Sequence, residues 1–368
     1  MTEPLSSRPA ADSFETLGEI VRAARRKLSR ADWDYVAGGA DTETTLKRNR
    51  QALDSIALRP RILRKVDAVD MTASLLGRRF RIPVFLAPLG SMQQLDPEGA
   101  LPAARAAEAF GTLTILSSAT QPDYETLKPK IAGPMIYQLY VRGDDAWVAE
   151  RVKRAIDLGY VAFCLTVDTA VYSRRERDIE KRFVPTARQT ASGQSQQAAV
   201  TWDLVKMLRD RFDIPLILKG IATAEDATVA VQHGVSVVYV SNHGGRQLDH
   251  GIGAIDALPE VVKAVAGRAE VVVDGGFVRG TDIVKAVALG AKAVGIGKLL
   301  GWGLAAGGQA GVTRVLELLE TELRVAMALL GADRLAALGA ECLRPARPVG
   351  EPHATSAFPL LDTAPWSL

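Results

Sequence analysis

Eight short runs of β-rich apolar residues recur along this chain, and stretches with helical periodicity separate most of them. The runs are residues 83–88 (PVFLAP), 112–118 (TLTILSS), 135–140 (MIYQLY), 161–168 (VAFCLTVD), 215–220 (PLILKG), 235–241 (VSVVYVS), 270–276 (EVVVDGG) and 293–298 (AVGIGK). A continuous apolar run means a strand buried on both faces, as in parallel sheets. Strand–helix alternation implies a parallel α/β fold. Eight units fit a (β/α)8 barrel, which typically takes about 250 residues. A doubly wound open sheet is the structural alternative.

The remaining segments attach to that frame. Residues 14–60 precede the first run and read as a helical extension. Thr223 and Thr281 stand where they can cap the helices that follow, and His233 stands at a helix end before Gly234. The gap between the fourth and fifth runs holds TARQTASGQSQQAA, polar and small, which reads as a mobile loop. We expect a disordered tail over residues 1–13, the barrel domain with its helical extension over 14–343, and a proline-rich tail over 344–368.

Composition removes several function classes. The chain has 368 residues and a formal net charge of +3, and its basic clusters, such as Arg25-Arg26-Lys27, are short. They read as solvated faces, so no nucleic-acid partner is expected. The first residues lack an apolar signal core, and no apolar stretch approaches the ~20 residues of a membrane span. A soluble, cytoplasmic protein is the expectation. Of two cysteines, Cys164 lies inside FCLTV and reads as a buried thiol, so no disulfide framework is indicated.

In such a barrel the active site lies at the C-terminal ends of the strands. Those ends carry Pro88, Leu89 and Gly90, then Ser117 and Ser118, Gln138 and Tyr140, and Thr166 and Asp168. Lys219, Ser241-Asn242-His243, Asp274-Gly275-Gly276 and Gly297-Lys298 complete the series. A single polar strand end means little. A convergent set is different, because a charge left unpaired near a core costs about 3–5 kcal/mol. Gly275, Gly276 and Gly297 follow strands seven and eight, where barrels commonly hold phosphate through backbone N–H groups. Tight turns explain the same glycines, but Arg279 and Lys298 add positive charge nearby. No Cys/His spacing suggests a metal site. His243 reads as a general base or as a hydrogen-bonded loop histidine. Arg246 offers a planar fork to a carboxylate, and Arg174 or Arg175 offers a second.

The segments SNHGGRQLD, LTVDT…RR, YQLY, LILKG and DGG…RGTD resemble the FMN-dependent L-2-hydroxy acid oxidase and dehydrogenase family, which includes glycolate oxidase, lactate oxidase and mandelate dehydrogenase. The similarity runs from about residue 14 to 344, and SNHGGRQLD is its most specific part. The resemblance implies a flavoenzyme that oxidises a small L-2-hydroxy acid to the 2-oxo acid, with FMN taking two electrons and passing them to oxygen, a quinone or a redox protein. It implies His243 as base with Asp168 as its carboxylate partner. Arg175 and Arg246 would bind the substrate carboxylate, and Tyr35 and Tyr140 would place hydroxyls on the substrate. Pro88, Leu89, Gly90, Ser117, Gln138 and Thr166 would hold the flavin ring, Lys219 would favour the negative charge of the reduced ring, Asp274 would take the ribityl chain, and Gly275, Gly276, Gly297 and Lys298 the phosphate end; Ser241 would also bind the cofactor. A homotetramer or octamer is also implied.

The departures from the family pattern are specific. Val278 and Lys298 stand where the family usually has arginine, and Leu89 and Asp96 where it often has threonine and histidine. Ala119 stands where the glycolate enzymes have tryptophan, with Tyr172 placed to refill part of the space. A substrate bulkier than glycolate is therefore expected. Gly90, where oxidases often carry alanine, hints at an acceptor other than oxygen. The alternative function is a non-catalytic barrel that binds a phosphorylated ligand or a protein partner.

Overall fold

In the computed structural model, which describes residues 13–186 and 194–361, the eight apolar runs form one closed parallel barrel. Its strands are Val84–Leu86, Thr114–Ser117, Met135–Leu139, Ala162–Thr166, Leu216–Ile221, Val237–Val240, Glu270–Asp274 and Ala293–Ile296. The last strand pairs with the first through Val294–Val84, Gly295–Phe85 and Ile296–Leu86, which closes the cylinder.

The runs are apolar throughout because both strand faces are covered. On the third strand Ile136 points into the barrel interior, while Met135, Tyr137 and Leu139 pack into the layer under the helices. Phe85 and Tyr239 fill the interior edge to face, with centroids 5.5 Å apart. The hairpin of Ala73–Leu75 and Arg78–Phe80 joins the same cluster. Its turn donates from the Leu76 N–H to Glu270 at the start of strand seven, which places the hairpin at the N-terminal end of the barrel. The opposite end is left for chemistry.

Three helices, Leu17–Lys27, Arg30–Ala37 and Thr44–Asp54, form the extension before the barrel. A pairing of Ile56–Leu58 with Leu343–Pro345 ties the extension to the far end of the chain. Thr223 caps its helix as expected, accepting from the Asp226 N–H. Thr281 does not cap. Its helix starts at Gly280 behind Arg279, because the Asp282 carboxylate reaches back to the Val278 and Arg279 N–H groups at 3.0 and 3.1 Å.

The polar stretch read as a mobile loop lies partly outside the described residues. Its end is ordered: Gln194–Ala198 is a helical turn, and Gln197 is buried. The proline-rich tail is held down as far as residue 361. Phe358 and Leu361 are buried, and Phe358 meets Trp302 edge to face.

Candidate active site

The end of strand six runs into a left-handed turn. His243, Gly244 and Gly245 have φ values of 58°, 65° and 74°. A side chain at Gly245 would place its Cβ 2.4 Å from the Leu46 nitrogen, so only glycine fits. His243 is not glycine and sits in this strained region, its N–H held by the Ser241 hydroxyl at 3.0 Å. The turn swings the imidazole across the barrel mouth to strand four.

There Nδ1 lies 3.1 and 3.2 Å from the two Asp168 oxygens. Burial works against the Asp168 charge, but His243 and Lys219 outweigh it and hold the carboxyl below its ordinary range. An ionised Asp168 requires a proton on Nδ1. That leaves the Nε2 lone pair facing the Tyr140 hydroxyl at 3.2 Å. Burial pulls the imidazole itself below its ordinary range; Asp168 offsets part of this, while Lys219 and Arg175 add to it. The ring is thus neutral at neutral pH, with Asp168 on its Nδ1 side and the Tyr140 hydroxyl at Nε2.

Two guanidinium groups stand beside it. Arg246 donates to the Gly38 carbonyl at 2.9 Å and lies over the Tyr35 ring. Arg175 is buried against the Tyr172 ring, 4.4 Å from its centroid, and its Nε has no protein partner. A buried donor left open is costly unless a ligand takes it. On the barrel floor, Lys219 donates to Ser241 at 2.8 Å and lies 3.6 Å from Asp274. Burial opposes its charge, but Asp274 and Asp168 prevail and raise its pKa, so it stays an ammonium.

These groups open onto one cavity. Of the residues picked out in the sequence, Tyr35, Pro88, Leu89, Gly90, Tyr140, Arg175, Lys219, His243, Arg246, Asp274, Gly275, Gly276, Gly297 and Lys298 line it. Ala119, Tyr172 and Val278 line it too. Asp168, Ser117, Gln138, Thr166 and Ser241 do not, and the last four are buried. Gln138 donates to Thr166 at 2.9 Å, and its buried Oε1 has no partner.

Lys298, expected at the phosphate end, lines the cavity but has its bonds within the protein. Its ammonium donates to the Val36, Ala37 and Gly38 carbonyls at 2.9, 3.1 and 2.9 Å, closing the C-terminus of the helix Arg30–Ala37. Burial, with Arg246 and Arg175 nearby, pushes its pKa well down.

Several residues escaped sequence reasoning. Gln197 bridges strands three and four, accepting from the Val141 N–H at 2.6 Å and donating to the Thr166 carbonyl at 2.9 Å. Its polar, low-complexity surroundings carry no signal for this. Arg50 lines the cavity but its fork grips the buried Asp282, both bonds 2.9 Å. His353 and Ala354, from the tail, also line the cavity.

The model of the FMN-dependent dehydrogenase family matches residues 24–345. The chain belongs to that family. It is 41% identical over 346 residues to L-lactate oxidase of Nostoc sp., covering 87% of this chain and 95% of that protein. It is 41% identical over 341 residues to glycolate oxidase of Spinacia oleracea, covering 87% and 92%. A crystal structure of mandelate oxidase with (S)-2-phenylpropionate superposes with a TM-score of 0.85 at 38% identity, covering 92% of this chain and all of that one (100%). The chain is therefore an FMN-dependent 2-hydroxy acid oxidase or dehydrogenase by family, rather than a non-catalytic barrel.

Its residues suit that cofactor. The unpartnered Gln138 Oε1 is an acceptor of the kind a ring N–H needs, and Lys219 is a fixed cation. A Cβ placed on Gly297 meets nothing within 4 Å, so the backbone there faces open space. Among the described residues no group of histidine, cysteine or acidic side chains could hold a metal, and no helix is long and apolar enough to cross a membrane.

Proposed function

We propose that this family member oxidises an L-2-hydroxy acid with a side chain larger than that of glycolate, using His243 as the base. The observation that carries the reading is the imidazole held between Asp168 and Tyr140, in the same cavity as the unpartnered Arg175 Nε.

Arg175 and Arg246 grip the substrate carboxylate, since two planar donors fix both its position and its plane. The Tyr140 hydroxyl, already at His243 Nε2, is placed to hydrogen-bond the substrate hydroxyl. His243 Nε2 takes a substrate proton. Asp168 then faces a full imidazolium, and the charge pair strengthens as the proton arrives. FMN, when bound, supplies the two-electron sink. Lys219 keeps a positive charge on the barrel floor throughout. The small Ala119 leaves the substrate's side chain room beside the apolar Leu89 and the Tyr172 ring.

The test is an anaerobic flavin-bleaching screen over L-2-hydroxy acids of rising side-chain size, followed by oxygen or a dye for reoxidation. Faster bleaching by the larger acids than by glycolate is expected. A clear preference for glycolate overturns the substrate reading, and bleaching by the D-enantiomers overturns the geometry.

A further inference from the structure

The cations around strands seven and eight are committed to the fold. Lys298 closes a helix C-terminus. Arg50 is forked onto Asp282 and Asp54. Arg279 pairs with Glu322 at 2.7 Å and turns to the tail, donating to the Ala357 carbonyl at 3.3 Å. Val278, between Arg279 and the Gly275–Gly276 turn, is apolar. That end of the cavity is where a barrel holds phosphate.

The C-terminal segment reaches the same place. Phe358 is buried against Trp302, and the Arg279 guanidinium lies over its ring, so the segment is pinned beside the loop that follows strand seven. Just before this anchor the chain makes a tight turn. The His353 N–H donates to the Ser356 hydroxyl at 3.1 Å, and that hydroxyl donates back to the His353 carbonyl at 3.0 Å. The turn presents His353 to the cavity. Within it, the Thr355 N–H donates to His353 Nδ1 at 3.3 Å. A ring whose Nδ1 accepts carries a proton on Nε2. His353 is exposed, and among the described residues no hydrogen bond uses its Nε2–H.

We propose that His353 donates from Nε2 to the phosphate of bound FMN, and that the C-terminal segment from His353 to Leu361 is the strap that delivers it. This rests on FMN occupying the cavity, not on the identity of the base. A single histidine donor to a dianion is worth a modest factor in affinity, because the bond is charge-assisted but one of several that backbone N–H groups also supply. The strap also explains why a proline-rich end is anchored by an aromatic residue: the donor works only if its turn is held.

The experiment compares FMN with riboflavin, which lacks the phosphate. Dissociation constants come from flavin fluorescence on dilution of the holoenzyme, and on reloading flavin-depleted protein with either flavin. His353→Ala should weaken FMN roughly 10–100-fold and leave riboflavin unchanged. His353→Gln, which keeps an N–H donor, should recover most of the loss. Unchanged FMN binding in His353→Ala overturns the proposal. Equal weakening of both flavins also overturns it, since the tail would then serve only to keep the cavity folded.

Discussion

The two ends of the cavity use charge in opposite ways. At the strand-four and strand-six end, polar groups keep open valences: the Arg175 Nε has no partner, and His243 Nε2 meets only a hydroxyl. At the strand-seven and strand-eight end, Lys298, Arg50 and Arg279 are consumed by carbonyls and carboxylates of the protein. A buried group with an unmet bond is a cost to the fold that a ligand can repay. A cation whose bonds are met within the protein contributes to the fold and has little left for a ligand. Side-chain type does not separate the two cases; only the partners do.

The comparison can be broken at several points. The largest effect belongs to His243→Ala. Flavin reduction by the best substrate should fall about 10²–10⁴-fold with FMN still bound, measured by anaerobic stopped flow. Loss of bound FMN instead would move His243 to the structural side of the comparison. Next comes Asp282→Asn, which removes the charge and one of the two acceptor oxygens from a buried bidentate pair. It should cost about 3 kcal/mol or more in denaturant unfolding, with a smaller effect on the reduction rate of the protein that remains folded. A stable but inactive variant would show that Arg50 serves the reaction.

Asp168→Asn should slow reduction about 10²-fold. Its pH dependence has a definite sign. The proposed role of His243 needs the neutral imidazole, and burial holds the His243 pKa below its ordinary value of about 6.5. Wild-type activity should therefore persist as pH falls through that value and be lost only below it. Asp168 raises the His243 pKa, so its removal should move the acid limb lower still. An acid limb that moved up would mean that Asp168 does not face the imidazole in the working enzyme. Arg175→Lys replaces a planar fork with a point charge, and should raise KM for the acid about tenfold with less change in kcat. The smallest effect on cofactor is expected from Lys298→Met: thermal stability falls as three carbonyls lose their donor, while FMN affinity changes little. A large loss of FMN affinity would return Lys298 to the phosphate.

The barrel was legible because its strands are buried on both faces, so PVFLAP or VSVVYVS can be nothing but interior. Asp168 and His243 stood out as polar residues at the ends of such runs, where packing gives them no purpose; Arg175 and Arg246 follow in the loops, and only the fold brings them beside the imidazole. What sequence could not show depends on distant partners. Thr281 looked like a cap, but Asp282 does the capping from inside the first turn while Arg50, far back in the chain, holds its carboxylate. Lys298 gave no sign in the sequence that the carbonyls of residues 36–38 would take its ammonium. Phe358 in a proline-rich tail reveals nothing until Trp302 is beside it.

The most direct test is a crystal structure of the holoenzyme with a bound 2-oxo acid product or unreactive analogue. The carboxylate should sit between Arg175 and Arg246, with the oxygen on C2 within hydrogen-bond reach of His243 Nε2, about 2.6–3.2 Å. A ligand whose carboxylate binds elsewhere in the cavity, or an imidazole turned out of reach of C2 and its oxygen, would contradict the account.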